Sequence, residues 1–406
     1  SSHLNLSPTP SPALANLPII RNQNERVNNY NILLNLKHEF SVDHRIVLGG
    51  FFDGAKRIHP IGSDRRQVYD LNFKDFHILD GDSQIVWGLG FRATRDHGPN
   101  APEISVSPQK TLYTTASGLM EYTKELIPNQ LIFTIGSKFE ANDYTGFEVQ
   151  PSARLSYHFN ENNFIWTSVS RAVRNPARFE DSASLNGSRA LSPLTLPLNS
   201  AVVLRGSSQI ESEVLQAYEL GYRSQLSSQL NIDVALFYNK YSKLITAVVD
   251  PSTVGVPTTP VVLNLSNQGS ADTYGVETSI NWQATDDWRL AASYTFFRSD
   301  EDRTSDDPLE DSAPRNAANL QSHYQIVEGL SFNANLYYKD NIVRDQIKHY
   351  TRLDLGLIWE VKENIELSIW GQNLLKRNHL ESRDELFGGE ESFIERSIYA
   401  QLTAKF

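Results

Sequence analysis

The sequence predicts an all-β protein, an antiparallel up-and-down transmembrane β-barrel of about 17 strands. Three observations predict it. Apolar and polar residues alternate with period two over segments of about 10–14 residues, the pattern of strands whose two faces meet different surroundings. Tight turns alternate with long loops, so the two ends of the sheet also face different environments. No run of 18 apolar residues occurs, which excludes a transmembrane helix.

Residues 1–26 are rich in Ser, Pro and Asn, lack periodicity and read as a loop or tail on the extracellular side. Strand segments follow near 27–40, 45–55, 67–77, 84–95, 111–123, 130–140, 147–158 and 163–171. The remainder lie near 212–224, 229–248, 270–283, 288–298, 315–326, 330–341, 349–360, 364–373 and 393–406. The clearest sets Leu330, Phe332, Ala334, Leu336 and Tyr338 on one face against Ser331, Asn333, Asn335, Tyr337 and Lys339 on the other. Another sets Leu230, Ile232, Val234, Leu236 and Tyr238 against Asn231, Asp233, Ala235, Phe237 and Asn239. Tyr274 to Gln283 and Leu353 to Glu360 behave alike.

Short connections fall at 41–44, 78–83, 126–129, 160–162, 224–228, 284–287, 327–329 and 361–363. Long ones fall at 56–66, 96–110, 172–211, 249–269, 299–314 and 375–392, with shorter members at 141–146 and 342–348. A soluble propeller or sandwich is the alternative. Its strands would average five or six residues, and a tilted membrane crossing suits the longer segments better. Aromatics near the ends of the apolar faces (Tyr238, Tyr274, Trp282, Tyr338 and Trp359) fit interfacial girdles.

Composition removes several function classes. The 406 residues carry no Cys, so iron–sulfur clusters, disulfide scaffolds and thiol nucleophiles are excluded. A net charge of −11 argues against nucleic acid. Neither HExxH nor G-x-S-x-G occurs. Gly88-Leu89-Gly90 has no helix to follow it and is not a dinucleotide loop. The expectation is a protein that is not an enzyme and has no cofactor and no metal. No basic segment followed by an apolar one opens the chain, so either the protein is cytoplasmic or its N-terminus lies upstream.

The last residues place Ile398, Ala400, Leu402, Ala404 and Phe406 on one face, and alternation ending in a terminal Phe resembles the recognition signal of bacterial outer-membrane barrels. Trp370-Gly-Gln-Asn-Leu-Leu-Lys376 followed by Glu381 is similar to an element near the end of TonB-dependent outer-membrane receptors, with Leu375 where that family has Asp or Asn. Ser168 to Glu180, Glu213 to Arg223, Phe237 to Tyr241, Tyr274 to Glu277 and Trp87 to Arg92 resemble further elements of the same family, in order. The resemblance spans roughly residues 27–406, the barrel, and no plug domain or TonB-engaging segment is visible.

The resemblance implies the barrel of an outer-membrane receptor that imports a scarce ligand, a ferric siderophore first among the choices. Implied partners are outer-membrane lipid, lipopolysaccharide, and TonB acting through an N-terminal region. The runners-up are a passive porin-like channel and a secreted all-β carbohydrate-binding protein or enzyme. The family's barrel has 22 strands. Seventeen are therefore part of one, and 27–40 and 393–406 should be edges rather than partners.

Two loops carry candidate chemistry. Arg171, Arg174, Arg178 and Arg189 cluster at the long-loop end of segment 163–171, and guanidinium groups in a mouth would attract an anionic ligand. Arg174, Arg178 and Arg189 are the candidate ligand-binding residues. The acidic run 300–311 is a solvated loop or, alternatively, a divalent-cation site near lipopolysaccharide.

Overall fold

The computed structural model of the chain describes residues 25–59, 62–101, 104–186, 202–256, 260–301, 313–342, 346–382 and 393–405. Nearly all of the tail, most of the acidic run, Arg189 and Phe406 lie outside the described residues. The long strands are β1 (Arg26–Ser41), β2 (His44–His59), β3 (Gly62–Asp80), β4 (Ser83–His97), β5 (Lys110–Ile127), β6 (Leu131–Asn142), β7 (Gly146–Asn160) and β8 (Asn163–Arg174). They continue as β9 (Glu213–Ser227), β10 (Leu230–Val249), β11 (Val261–Thr285), β12 (Trp288–Glu301), β13 (Asn316–Val327), β14 (Leu330–Lys339), β15 (Tyr350–Lys362), β16 (Ile365–Gln372) and β17 (Ser397–Ala404). Each pairs antiparallel with its neighbours in sequence. Among the described residues β1 pairs only with β2, and β17 only with β16.

Several strands outrun the segments expected of them. β3 begins at Gly62 rather than 67 and β11 at Val261 rather than 270. The added residues lie at the long-loop end, where the ladder continues past the region that imposes alternation. The sequence there stays polar or irregular, and no period announces the strand.

Burial is inverted relative to a soluble protein. Leu71 and Leu89 are 56% and 60% exposed, and Leu220, Leu236, Leu320, Leu357 and Ile369 are exposed with them. Glu140, Thr273, Ser331, Asp354 and Ser368 are buried. The register explains the division. Leu320, Leu336 and Leu353 form one cross-strand row, while Gln321, Asn335 and Asp354 form the next, on the opposite face. Apolar side chains so exposed are stable where the solvent is hydrocarbon.

Aromatics frame this apolar face. Tyr218, Tyr238 and Tyr274 share a row toward the long-loop end. Trp282, Trp288 and Trp359 are exposed near the short turns. Tyr274 and Trp282 are separated by about 27 Å of strand at ~3.4 Å per residue. Tilted by ~40°, that spans about 21 Å, close to the height of an outer-membrane apolar band.

The short-turn end is built by repetition. Eight hairpins close there with two or three connecting residues. In every one the incoming strand slips by a residue just before the turn, at Ser41, Asp80, Ile127, Asn160, Ser227, Thr285, Val327 and Lys362. Such bulges raise local twist. Each turn then accepts a backbone hydrogen bond from the next strand along: Ile78 N–H to Asp43 O, Glu125 to Asp82, His158 to Gln130, Gln225 to Asn162, Gln283 to Gln229, Gln325 to Asp287, Glu360 to Gly329 and Lys405 to Asn364, at 2.7–2.9 Å. The turns are therefore laced into a continuous rim.

The Trp370–Glu381 element ends β16. Asn373 is fully buried and has φ 53°, a left-handed conformation that Asn tolerates better than most residues. Its N–H donates to Asp354 Oδ1 (2.9 Å), and its Nδ2 to Ile394 O (2.9 Å). Arg352 grips the same Asp354 carboxylate with two bonds. Further on, His379 stacks on Tyr350 and contacts Glu381 at 2.8 Å. Burial pushes the Glu381 carboxyl up, but the hydrogen bond and charge of His379, the Tyr350 hydrogen bond and the charge of Lys339 together hold the group below its ordinary range. The element is a clamp that turns the chain back at the long-loop end, before β17.

Two outcomes are expected. Leu336→Arg should cost ~2–4 kcal/mol or block assembly, because it puts a charge into the apolar band. Asn335→Arg, one residue away on the wet face, should be mild. Heat-modifiable mobility of the folded protein reads both. Asn373→Ala should cost ~2–3 kcal/mol through the lost Nδ2 hydrogen bond to Ile394 O and backbone strain. Asn373→Gly relieves only the strain, so in denaturant melts it should lose less.

Candidate functional site

At the long-loop end the described parts of the expected loop 172–211, residues 172–186 and 202–211, form an ordered platform. After β8 the chain forms helix α1 (Arg178–Ser182) and a short strand Ala183–Asn186. That strand lies between strand Ile104–Val106, from the expected loop 96–110, and strand Val202–Arg205. Val202–Arg205 in turn runs parallel to the first residues of β11. Leu185, Val202, Leu204, Ile210, Leu263 and Leu265 form a buried cluster here, packed by Ile104, Phe179, Ile245 and Val249. Gly206 permits the closing contact. A Cβ there would meet the carbonyl oxygens of Glu180 and Phe179 at 2.7 and 2.8 Å.

Arg174 and Arg178, two of the arginines expected in the mouth, anchor this platform. Arg174 donates two bonds to Glu180 (3.0 and 2.9 Å) and one to Glu213 (2.6 Å). Glu213 also accepts the Ile245 N–H (2.8 Å), and Glu180 accepts the Ala177 N–H at the start of α1 (2.6 Å). One guanidinium thus joins the ends of β8 and β9, the helix and the upper part of β10. Its side chain is still 49% exposed. Arg178 is 12% exposed, stands 2.8 Å from Asp96, and lies over the Tyr113 ring at 5.6 Å. Tyr113 stacks on Tyr144 in the β6–β7 turn. Burial and a hydrogen bond with Tyr113 push the Tyr144 hydroxyl well above its usual value. Arg171 stands 3.6 Å from Glu148. Sequence reasoning grouped the arginines but assigned them no carboxylate partners: Glu180 follows Arg174 by six residues, whereas strand register delivers Glu213, Asp96 and Glu148.

Below the platform the inner face holds a polar recess of about 440 Å³. Asp70, Lys74, Arg92, Lys138, Glu140 and Asn175 are among its lining residues. Arg92 pairs with Asp70 (2.8 Å) and Lys138 with Glu140 (2.6 Å). Lys74 has no ion-pair partner among the described residues, so the recess carries one uncompensated positive charge. Asn175 closes it from above. It donates to Glu140 and accepts from Ser212 Oγ (3.1 Å), tying the recess to the platform. Strand polarity alternation alone pointed to these inner-face residues only as a polar set.

The anchoring role has a measurable consequence. Arg174→Gln leaves Glu180 and Glu213 without their cation, so protease cleavage within 175–211 should speed up while the barrel stays heat-modifiable. An unchanged cleavage rate would mean that the network does not hold the platform.

The family model described as "TonB dependent receptor-like, beta-barrel" matches residues 5–374. The probable TonB-dependent siderophore receptor PiuA of Acinetobacter baumannii is 24% identical over 202 residues, 45% of this chain and 25% of that protein. The crystal structure of the siderophore receptor PirA from Acinetobacter baumannii superposes with a TM-score of 0.77 at 16% identity, over 97% of this chain and 65% of that one. PirA from Pseudomonas aeruginosa gives 0.73 at 18%, over 94% and 64%. The chain thus spans about a quarter of the curated relative and just under two thirds of these solved receptors. With its polar inner face, apolar outer face and laced short turns, the chain belongs to the TonB-dependent receptor β-barrel family, whose barrels reside in the outer membrane of Gram-negative bacteria.

Proposed function

We propose that the chain is the barrel of a receptor that imports a ferric siderophore across the outer membrane, driven by TonB acting on a plug inside the lumen. The match to the family over residues 5–374 carries the reading. The relatives named as siderophore receptors support the ligand class. The barrel's tasks follow from its two faces. The outer face dissolves the wall in lipid and meets lipopolysaccharide. The inner face offers hydrogen bonds and paired charges such as Arg223–Asp233 and Arg352–Asp354 to a hydrated plug and to cargo.

The long-loop platform is the extracellular mouth in this reading. Arg174, Arg178 and Arg189 remain its proposed ligand-contacting arginines. Arg174 is the accessible one, and an anion there competes with Glu180 and Glu213. Lys74 offers an anionic ligand a cation that no carboxylate already neutralises.

Growth on iron-limited medium tests the function. A strain lacking the gene should lose growth on at least one ferric siderophore. Restoring the gene should restore growth only while TonB is present. Restoration without TonB would make the protein a passive channel instead. For the recess, Lys74→Gln should weaken binding of an anionic ferric siderophore about 5-fold, as loss of one screened charge contact worth ~1 kcal/mol implies. It should also flatten the salt dependence of binding.

A further inference from the structure

Ionisable side chains on the outward face of a membrane strand are costly and call for a partner. Asp75 is such a residue. Alternation along β3 puts Tyr69, Leu71, Phe73, Asp75 and His77 on one face, and Tyr69 and Leu71 are exposed to lipid. Across the β3–β4 ladder Asp75 stands opposite Trp87, an exposed aromatic toward the short-turn rim. The carboxylate therefore sits near the interface, not at mid-membrane.

Two imidazoles converge on it. His77 follows two residues later on the same face, and His44, the first residue of β2, is the direct cross-strand partner of His77. Directly opposed residues bring Cβ atoms to about 5 Å, so the hairpin geometry itself assembles the three groups. Their ligand atoms all lie within 4.8 Å of one another. His44 Nε2 is 3.2 Å from Asp75 Oδ1 and 3.4 Å from Oδ2. The nearer contact lacks hydrogen-bond geometry, and Oδ1 is buried without a hydrogen bond. The Asp75 side chain is only 17% exposed. Phe40 stacks on the His44 ring at 4.7 Å and shields it from one side.

We propose that His44, Asp75 and His77 bind a divalent first-row transition metal of the zinc class at the short-turn rim. Two neutral imidazoles and one carboxylate are the nitrogen and oxygen donors such ions take, and three protein ligands leave a position for water. Metal–ligand bonds of ~2.0–2.2 Å would set the donors about 3.4 Å apart. The His44–Asp75 pair is already there, and the remaining closure is a side-chain rotation. The metal would neutralise the carboxylate and supply the bond that Oδ1 lacks. It would also pin β2 to β3 at the rim. The ordered spacing His44…Asp75-x-His77 escaped the sequence reading, which looked for HExxH and expected no metal. The site is independent of the ligand the barrel imports.

Zinc titration of the purified full protein in detergent, followed by calorimetry, tests this. One zinc per barrel is expected. His44→Gln and Asp75→Asn should each weaken binding at least tenfold. His323→Gln, which alters an inner-face histidine bonded to Asn333, should not. A second readout needs no variant. Zinc should protect His44 and His77 of the native protein from diethyl pyrocarbonate, and leave the exposed His349 reactive. Absence of stoichiometric zinc binding, native affinity in His44→Gln and Asp75→Asn, or unprotected His44 and His77 would each overturn the site.

Discussion

A backbone amide left without a partner in hydrocarbon costs several kcal/mol, and this constraint organises the whole chain. It forces every crossing segment from β2 to β16 into a ladder with both neighbours. It also explains why the pairing runs strictly in sequence order from β1 to β17. At the short-turn end the same demand is met by the turns themselves. Each turn offers a carbonyl to the strand of the next hairpin, and the bulge beside it provides the twist that the curved wall requires. Eight repeats of one device make the rim a structural unit.

With lipid outside and water inside, the barrel wall has no apolar interior. The buried apolar cluster of the described residues therefore sits elsewhere, in the platform at the mouth. There Leu185, Val202, Leu204 and Leu263 can pack against one another away from both solvents. This gives the described parts of the loops a core of their own. Arg174 extends that order into the wall by linking two strand ends, a helix and a hairpin through two carboxylates. Cations that look free in the sequence are tied down, and the uncompensated charge of Lys74 lies deeper, on the inner face.

The Trp370–Glu381 element shows how a family pattern maps onto physics. Asn373 is needed because the chain must take a left-handed turn, and its amide must satisfy a carbonyl at the same time. Asp354, held by Arg352, receives the backbone N–H of that turn. Leu375, where the family has Asp or Asn, is exposed and outside this bonding, which explains why the departure is tolerated.

The sequence by itself determined the number of crossings, which face of each strand meets lipid, and which connections are short. All three follow from a local rule: hydrocarbon on one face and water on the other impose alternation wherever a strand crosses. Where no lipid acts the rule is silent. The extensions of β3 and β11, helix α1 and the three short platform strands were therefore read as loops. Only the tertiary structure decided who meets whom. Arg178 finds Asp96 from 82 positions away in sequence, and His44 finds Asp75 and His77. These meetings depend on register, which is set jointly by turn lengths and bulges along the ladder. No single segment encodes that sum, so charge partners and metal-ligand geometry became legible only once the strands were paired.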